Sequence, residues 1–136
     1  MQASDVDALT ALIAVGRKQP GVRTDAVGLY GLSAGGFAAL EVIDIRAAVL
    51  DSPAGEGAPE ASRINTPVLV LAGTADTYVS FADQKNYVEA LRQAGKDVEC
   101  RYYEGGRHVL ISDPAYKDDA TRRIIDFLTH RLKACT

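Results

Sequence analysis

The run Pro67-Val68-Leu69-Val70-Leu71-Ala72 carries no polar side chain at either odd or even positions. A strand with one wet face alternates apolar and polar residues, whereas a strand apolar throughout has both faces covered. This run therefore predicts a buried parallel strand between two layers of helix. The rest of the chain supplies the parts. Ala26 to Tyr30, Ala47 to Leu50 and Val98 to Tyr103 read as further strands. Helix-like stretches separate them, so the predicted class is α/β: one domain over residues 1–136, three layers α/β/α, with a short, mostly parallel sheet of about four strands.

Local signals mark the helices. Ser4-Asp5-Val6-Asp7 resembles a capping box, and Val6, Leu9, Leu12 and Ile13 follow at helical spacing. Gly16 is a stop signal, and Pro20-Gly21 breaks the chain before the first strand. A helix is expected from Ser33 to about Ile43. Ser52 to Asn65, rich in Gly, Pro, Ala and Glu, reads as a loop with room for a short helical turn. Ser80 opens the next helix, with Asp83 three residues on; Tyr87, Val88 and Leu91 form its buried stripe and Gly95 ends it. Ile124, Ile125, Leu128 and Leu132 define an amphipathic C-terminal helix.

The chain is 47% hydrophobic and 24% charged, with a net charge of -3. That balance is globular and gives no reason to expect nucleic acid or an anionic membrane as partner. The apolar runs are strand-sized, and the first residues lack the basic and apolar regions of a signal peptide. Cys100 and Cys135 make no disulfide framework, and Cys100, placed in a strand, is expected to be a buried thiol. A cytoplasmic setting is the expectation. Two histidines and two scattered cysteines make no metal-ligand cluster, and no cofactor is implied.

Between the first strand and its helix lies Gly31-Leu32-Ser33-Ala34-Gly35. Gly-x-Ser-x-Gly at a strand–turn–helix junction is the pattern of a nucleophile elbow, which lifts a serine hydroxyl clear of the backbone beside a free N–H. Gly31 and Gly35 are expected because a Cβ at either would collide with the neighbouring strand or helix. A nucleophilic serine needs a base, and the base needs an orienting acid. Asp76 lies just past the third strand and His108 just past the fourth, and in open parallel sheets such groups gather at the carboxyl ends of the strands. In these roles His108 takes the proton from Ser33, Asp76 fixes the imidazole, and the Ala34 N–H serves the oxyanion. Asp51, after the second strand, is the reserve acid. Each has a plainer reading: Ser33 a turn residue, Asp76 a helix cap, His108 a solvated loop residue. Ser80 already serves as the cap, and the rival histidine, His130, is expected on the exposed face of the last helix. Arg107 and Tyr78 lie near the site and read equally well as solvated neighbours.

On these residues the chain resembles the dienelactone hydrolase branch of the α/β-hydrolases. The resemblance rests on Gly31 to Gly36, on Pro67 to Asp76, and on Tyr103-Glu104-Gly105-Gly106-Arg107-His108; Asp113-Pro114-Ala115-Tyr116 adds to it. It implies a minimal α/β-hydrolase core and the chain order Ser33, Asp76, His108. Dienelactone hydrolases usually carry cysteine as nucleophile; Ser33 points instead to the serine esterases similar to them. The implied activity is hydrolysis of a small ester through an acyl-enzyme on Ser33. With little chain available for a lid, short acyl chains are the expected substrates. Amide hydrolysis by the same residues stays open, as does a non-catalytic remnant or half-domain.

The resemblance also implies a departure. A typical member has roughly another hundred residues before the helix that opens this chain. The loop that normally donates a second oxyanion N–H lies there, and losing one such donor typically costs about 10²–10³ in kcat. The Ser52–Asn65 loop or a second subunit is the expected replacement. The strand Ala26–Tyr30 would become a sheet edge, and an apolar edge invites pairing, so a homo-oligomer is expected.

Overall fold

The computed structural model describes residues 3–42, 44–53 and 58–133. The elements run α1 (Ala3–Arg17), β1 (Gly28–Leu32), α2 (Ala34–Leu40), β2 (Ala47–Asp51), a 3₁₀ turn (Ala61–Arg63), β3 (Val68–Gly73), α3 (Phe81–Gln93), β4 (Val98–Tyr103), a second 3₁₀ turn (Leu110–Ser112) and α4 (Lys117–Arg131). The four strands form one parallel sheet in the order β1-β2-β3-β4. The expected α/β architecture is the one observed.

The layering follows from the strand order. Each connection steps the same way across the sheet, and right-handed crossovers then put the connecting helices on one face. Phe37 and Leu40 of α2, Val88 and Leu91 of α3, and the half-buried Leu9 and Ile13 of α1 pack there against Ala48, Leu50, Val68 and Val70. The other face carries Ala47, Val49, Leu69 and Leu71, and is covered by Ala120 and Phe127 of α4 together with Leu110. Odd and even positions of β2 and β3 thus feed two separate cores, and all six residues of β3 are buried. This two-sided cover explains why the run from Pro67 to Ala72 is apolar throughout. Each fully buried Leu or Val contributes about 1.5–3 kcal/mol.

Several boundaries differ from expectation for identifiable reasons. β1 begins and ends two residues later than the apolar run, because pairing decides it: Gly31 and Leu32 sit opposite Leu50 and Asp51. The ladder therefore runs up to Ser33. α2 stops at Leu40, where the Glu41 and Val42 amides bond three residues back, to Ala38 and Ala39; Ile43 lies outside the described residues. α1 includes Ser4 and passes Gly16 by one residue; the Ser4 side chain lies outside the described residues. Leu12 is 68% exposed and Ile125 57%. Each neighbours a residue, Ile13 or Ile124, that takes the inward position on the helix, and adjacent positions are about 100° apart. On α4 the missed inward residues are Ala120 and Phe127. Cys100 is half-buried on β4 rather than enclosed, and Cys135 lies outside the described residues. No helix among the described residues is long and apolar enough to cross a membrane.

Candidate active site

Parallel strands end together, so Ser33, Ser52, Thr74 and Glu104 leave the sheet at one edge. Ser33 adopts φ 51°, ψ -122°, a conformation disfavoured for any residue with a Cβ and typical of functional turns. Its N–H donates to the Asp51 carbonyl at 2.9 Å. Its hydroxyl makes no hydrogen bond among the described residues. A Cβ on Gly31 would stand 2.5 Å from the Gly35 carbonyl oxygen, so glycine is required where strand and helix cross. Gly35 differs from expectation: a Cβ there meets nothing within 4 Å. The tight second position is Gly36, whose Cβ would press on Leu50 at 3.3 Å. Ala34 opens α2, where the first amides have no intrahelical acceptor.

Asp76 and His108 are brought together. His108 Nδ1 lies 2.8 Å from Asp76 Oδ2, and the Asp76 side chain is 0% exposed. The amides of Tyr78 and Val79 donate to Oδ1, each at 2.9 Å, and Gln84 Nε2 donates to Oδ2 at 3.1 Å. Burial pushes this carboxyl up, but the hydrogen bonds from His108, Val79 and Tyr78 outweigh it and hold the group below its ordinary value. Ser80, not Asp76, caps α3: its Oγ accepts from the Asp83 amide. The Tyr78 ring, itself 83% exposed, tilts over the His108 ring at 5.2 Å. Arg107, His108, Ser112, Asp113 and Pro114 line a shallow cleft of about 240 Å³. His130 is exposed near the end of α4. Among the described residues no cluster of three His, Cys, Asp or Glu side chains has the geometry to hold a metal ion.

The lowered Asp76 value has a consequence for stability. In the unfolded chain the group would take a proton first as pH falls. Its stabilising contribution is complete above its ordinary value of 3.8 and is lost as pH drops through the lower folded value. The stability advantage of the wild type over Asp76→Asn, measured by urea unfolding, should shrink on acidification below that value. An advantage that grew instead would contradict the arrangement.

Two glycines make the approach of these loops possible. A Cβ on Gly73 would stand 2.1 Å from the Gly106 carbonyl oxygen. That same oxygen accepts from the Ala75 amide, and Thr74 Oγ1 accepts from the Gly105 amide. The loop after β4 then crosses back over β3 to the end of β2. There the Val109 amide donates to Ser52 Oγ at 2.9 Å and the Leu110 amide to Asp51 Oδ1 at 2.9 Å. This return carries His108 from the outermost strand towards the side of the sheet where Ser33 stands. Asp51 makes no contact with the imidazole, so the reserve acid is set aside. Sequence reasoning also missed Gln84, which is 2% exposed. A polar residue three and four positions before Tyr87 and Val88, on the inward stripe of α3, was the available signal.

The description of the prolyl oligopeptidase family matches residues 56–135, a stretch that includes Asp76 and His108 and lies beyond Ser33. No curated protein matches the chain by sequence comparison. Among solved structures the chain is similar to the Pyrococcus furiosus esterase Pf2001, with a TM-score of 0.80 and 18% identity over 94% of this chain and 62% of that one. It is similar to the Pyrococcus horikoshii acylaminoacyl peptidase, with a TM-score of 0.81 and 16% identity over 96% of this chain and 28% of that one. A Klebsiella pneumoniae protein assigned as a dienelactone hydrolase aligns with a TM-score of 0.74 and 21% identity, over 92% and 59% of the two chains. At these identities the likeness is one of fold, the α/β-hydrolase fold, and the chain spans about three-fifths of the length of the esterase. With more than half of its length matched by the family description, the chain belongs to the prolyl oligopeptidase family.

Proposed function

We propose that this chain is a serine hydrolase acting on small carboxylic esters with short acyl groups, with Ser33, His108 and Asp76 as nucleophile, base and orienting acid. The observation that carries the reading is the buried Asp76 carboxylate on His108 Nδ1. It leaves Nε2 as the ring nitrogen available to a hydroxyl. Ser33 Oγ adds to the ester carbonyl carbon as Nε2 takes its proton, and the Ala34 N–H faces the developing oxyanion. Collapse expels the alcohol, which takes the proton from His108. Water then adds to the acyl-enzyme with the same base, and the carboxylic acid leaves. The open cleft beside His108 supports small substrates over long acyl chains. A cytoplasmic setting belongs to the same proposal.

Amide hydrolysis by the same residues is a second reading, favoured by the family description. A non-catalytic half-domain is a third, favoured by the share of the larger relatives that the chain spans. The test is intact mass after treatment with a fluorophosphonate. One added equivalent supports an activated serine; a folded protein that takes up none favours the half-domain. The Ser52–Asn65 loop, proposed as a source of a second oxyanion donor, falls partly outside the described residues, at 54–57.

Homo-oligomerisation through β1 is also proposed. Among the described residues β1 pairs with β2 alone. The other outer strand, β4, presents exposed Glu99 and Arg101, charges that discourage edge pairing. β1 is Gly-Leu-Tyr-Gly-Leu, with no charge. Sedimentation velocity at micromolar concentration should show a dimer or larger species; a stable monomer would sink the idea.

A further inference from the structure

Asp51 is the last residue of β2, is 0% exposed, and has no cationic partner among the described residues. Four donors converge on its carboxylate. Tyr30 Oη at 2.5 Å and the Ile111 amide at 3.3 Å reach Oδ2; Ser52 Oγ at 3.1 Å and the Leu110 amide at 2.9 Å reach Oδ1. The same Ser52 Oγ accepts from the Val109 amide. The Asp51 main-chain carbonyl, in turn, accepts from the Ser33 amide. Burial and the Asp51 contact push the Tyr30 hydroxyl well above its ordinary value, so it stays a donor.

A buried carboxylate held without a cation is a costly way to fill a core position. An apolar residue of similar volume would avoid that desolvation but would leave the Tyr30, Ser52, Leu110 and Ile111 donors without their acceptor. What an apolar residue lacks is direction. Two of the residues tied here have left-handed backbones, Ser52 at φ 54° and Val109 at φ 65°. For a β-branched residue such as Val109 that conformation is a clear outlier and persists only where surrounding bonds over-determine it. Val109 directly follows His108, so its backbone decides where the imidazole is carried.

We propose that Asp51 is the positioning residue of this site, its carbonyl fixing the Ser33 turn while its carboxylate and the adjoining Ser52 fix the chain at positions 109–111, so that one residue sets nucleophile and base relative to each other. The proposal rests on the serine-hydrolase reading for its catalytic consequence, while the placement of His108 is testable without it.

The experiment compares wild type with Asp51→Asn and Tyr30→Phe. It measures the rate of fluorophosphonate labelling of Ser33, kcat and KM for p-nitrophenyl acetate, and the His108 imidazole resonances by NMR. An asparagine turns an NH₂ towards groups that are themselves donors. Displacement of about 1 Å costs on the order of 10²-fold in rate. Labelling and kcat of Asp51→Asn should therefore fall by about that factor while KM stays within about twofold. The His108 resonances should move. Tyr30→Phe removes a single donor and should cost about tenfold.

Folded Asp51→Asn with wild-type labelling and unmoved His108 resonances overturns the proposal. If Asp51→Asn does not fold, an unchanged rate and unchanged resonances in Tyr30→Phe overturn it just as well. If the wild type itself takes no label, the serine-hydrolase reading fails. The His108 resonances then decide the positioning role alone: moved in the variants, it stands; unmoved, it falls.

Discussion

Ser33→Gly should be more stable than the wild type and devoid of activity. Serine at φ 51°, ψ -122° holds about 1–3 kcal/mol of backbone strain. Glycine adopts that conformation freely but brings an entropic penalty of about 0.5–1 kcal/mol. The net gain is about 1 kcal/mol, a rise in Tm of about 3 °C for a chain of this size. Ser33→Ala keeps the Cβ and with it the strain, so its Tm should stay within about 1 °C of the wild type. Both variants lack the hydroxyl proposed as nucleophile. Ester hydrolysis should fall by about 10⁴-fold or more in each, and neither should take up fluorophosphonate. The comparison separates two properties of one side chain: chemistry is lost in both variants, and stability is gained in one. Thermal unfolding of the three proteins side by side is the check. Ser33→Gly melting below Ser33→Ala would show that the turn stores no strain.

Gly73→Ala should damage stability and activity together. The added Cβ would meet the Gly106 carbonyl oxygen at 2.1 Å and its carbon at 2.4 Å. Both are backbone atoms, so no rotamer change relieves the clash. The loop that carries His108 must move by about 1 Å, which breaks the Ala75–Gly106 hydrogen bond and draws the imidazole away from Asp76. Overpacking of this kind costs about 3 kcal/mol, close to 10 °C in Tm. A shift of that size also lowers kcat by about 10²-fold. Gly35→Ala is the internal control. It is equally close to the site in sequence, but its Cβ meets nothing, and alanine is the better helix former. Gly35→Ala should be neutral or slightly stabilising. A Gly73→Ala protein that melts with the wild type would mean that the two loops do not approach as described.

Where the sequence reading succeeded, the signal was short-range. Val98–Tyr103 matched β4 to the residue, because a strand flanked by a glycine-ended helix and a Gly-Gly turn has both limits marked. The cap at Ser80 and the stop at Gly95, with φ 73°, were equally local. Failures came where a local pattern had two solutions. Leu12 and Ile125 fit helical spacing as well as their neighbours do, and only the direction of the packed sheet chose between them. β1 was misplaced by two residues because its last two positions, Gly31 and Leu32, are in the strand by virtue of their partners on β2.

The sequence by itself determined the class of fold, the sharp turn at Ser33, and the placement of Asp76 and His108 past the third and fourth strands. Each follows from periodicity or turn chemistry acting over a few residues. Tertiary structure alone decided that Gly73 and Gly106 let the two loops touch, that Gln84 turns its amide to Asp76, and that Asp51 binds the chain beyond His108. The Asp51–Leu110 bond spans 59 residues. No local pattern encodes such a pairing, because it exists only once four strands have aligned and the last loop has turned back across their ends.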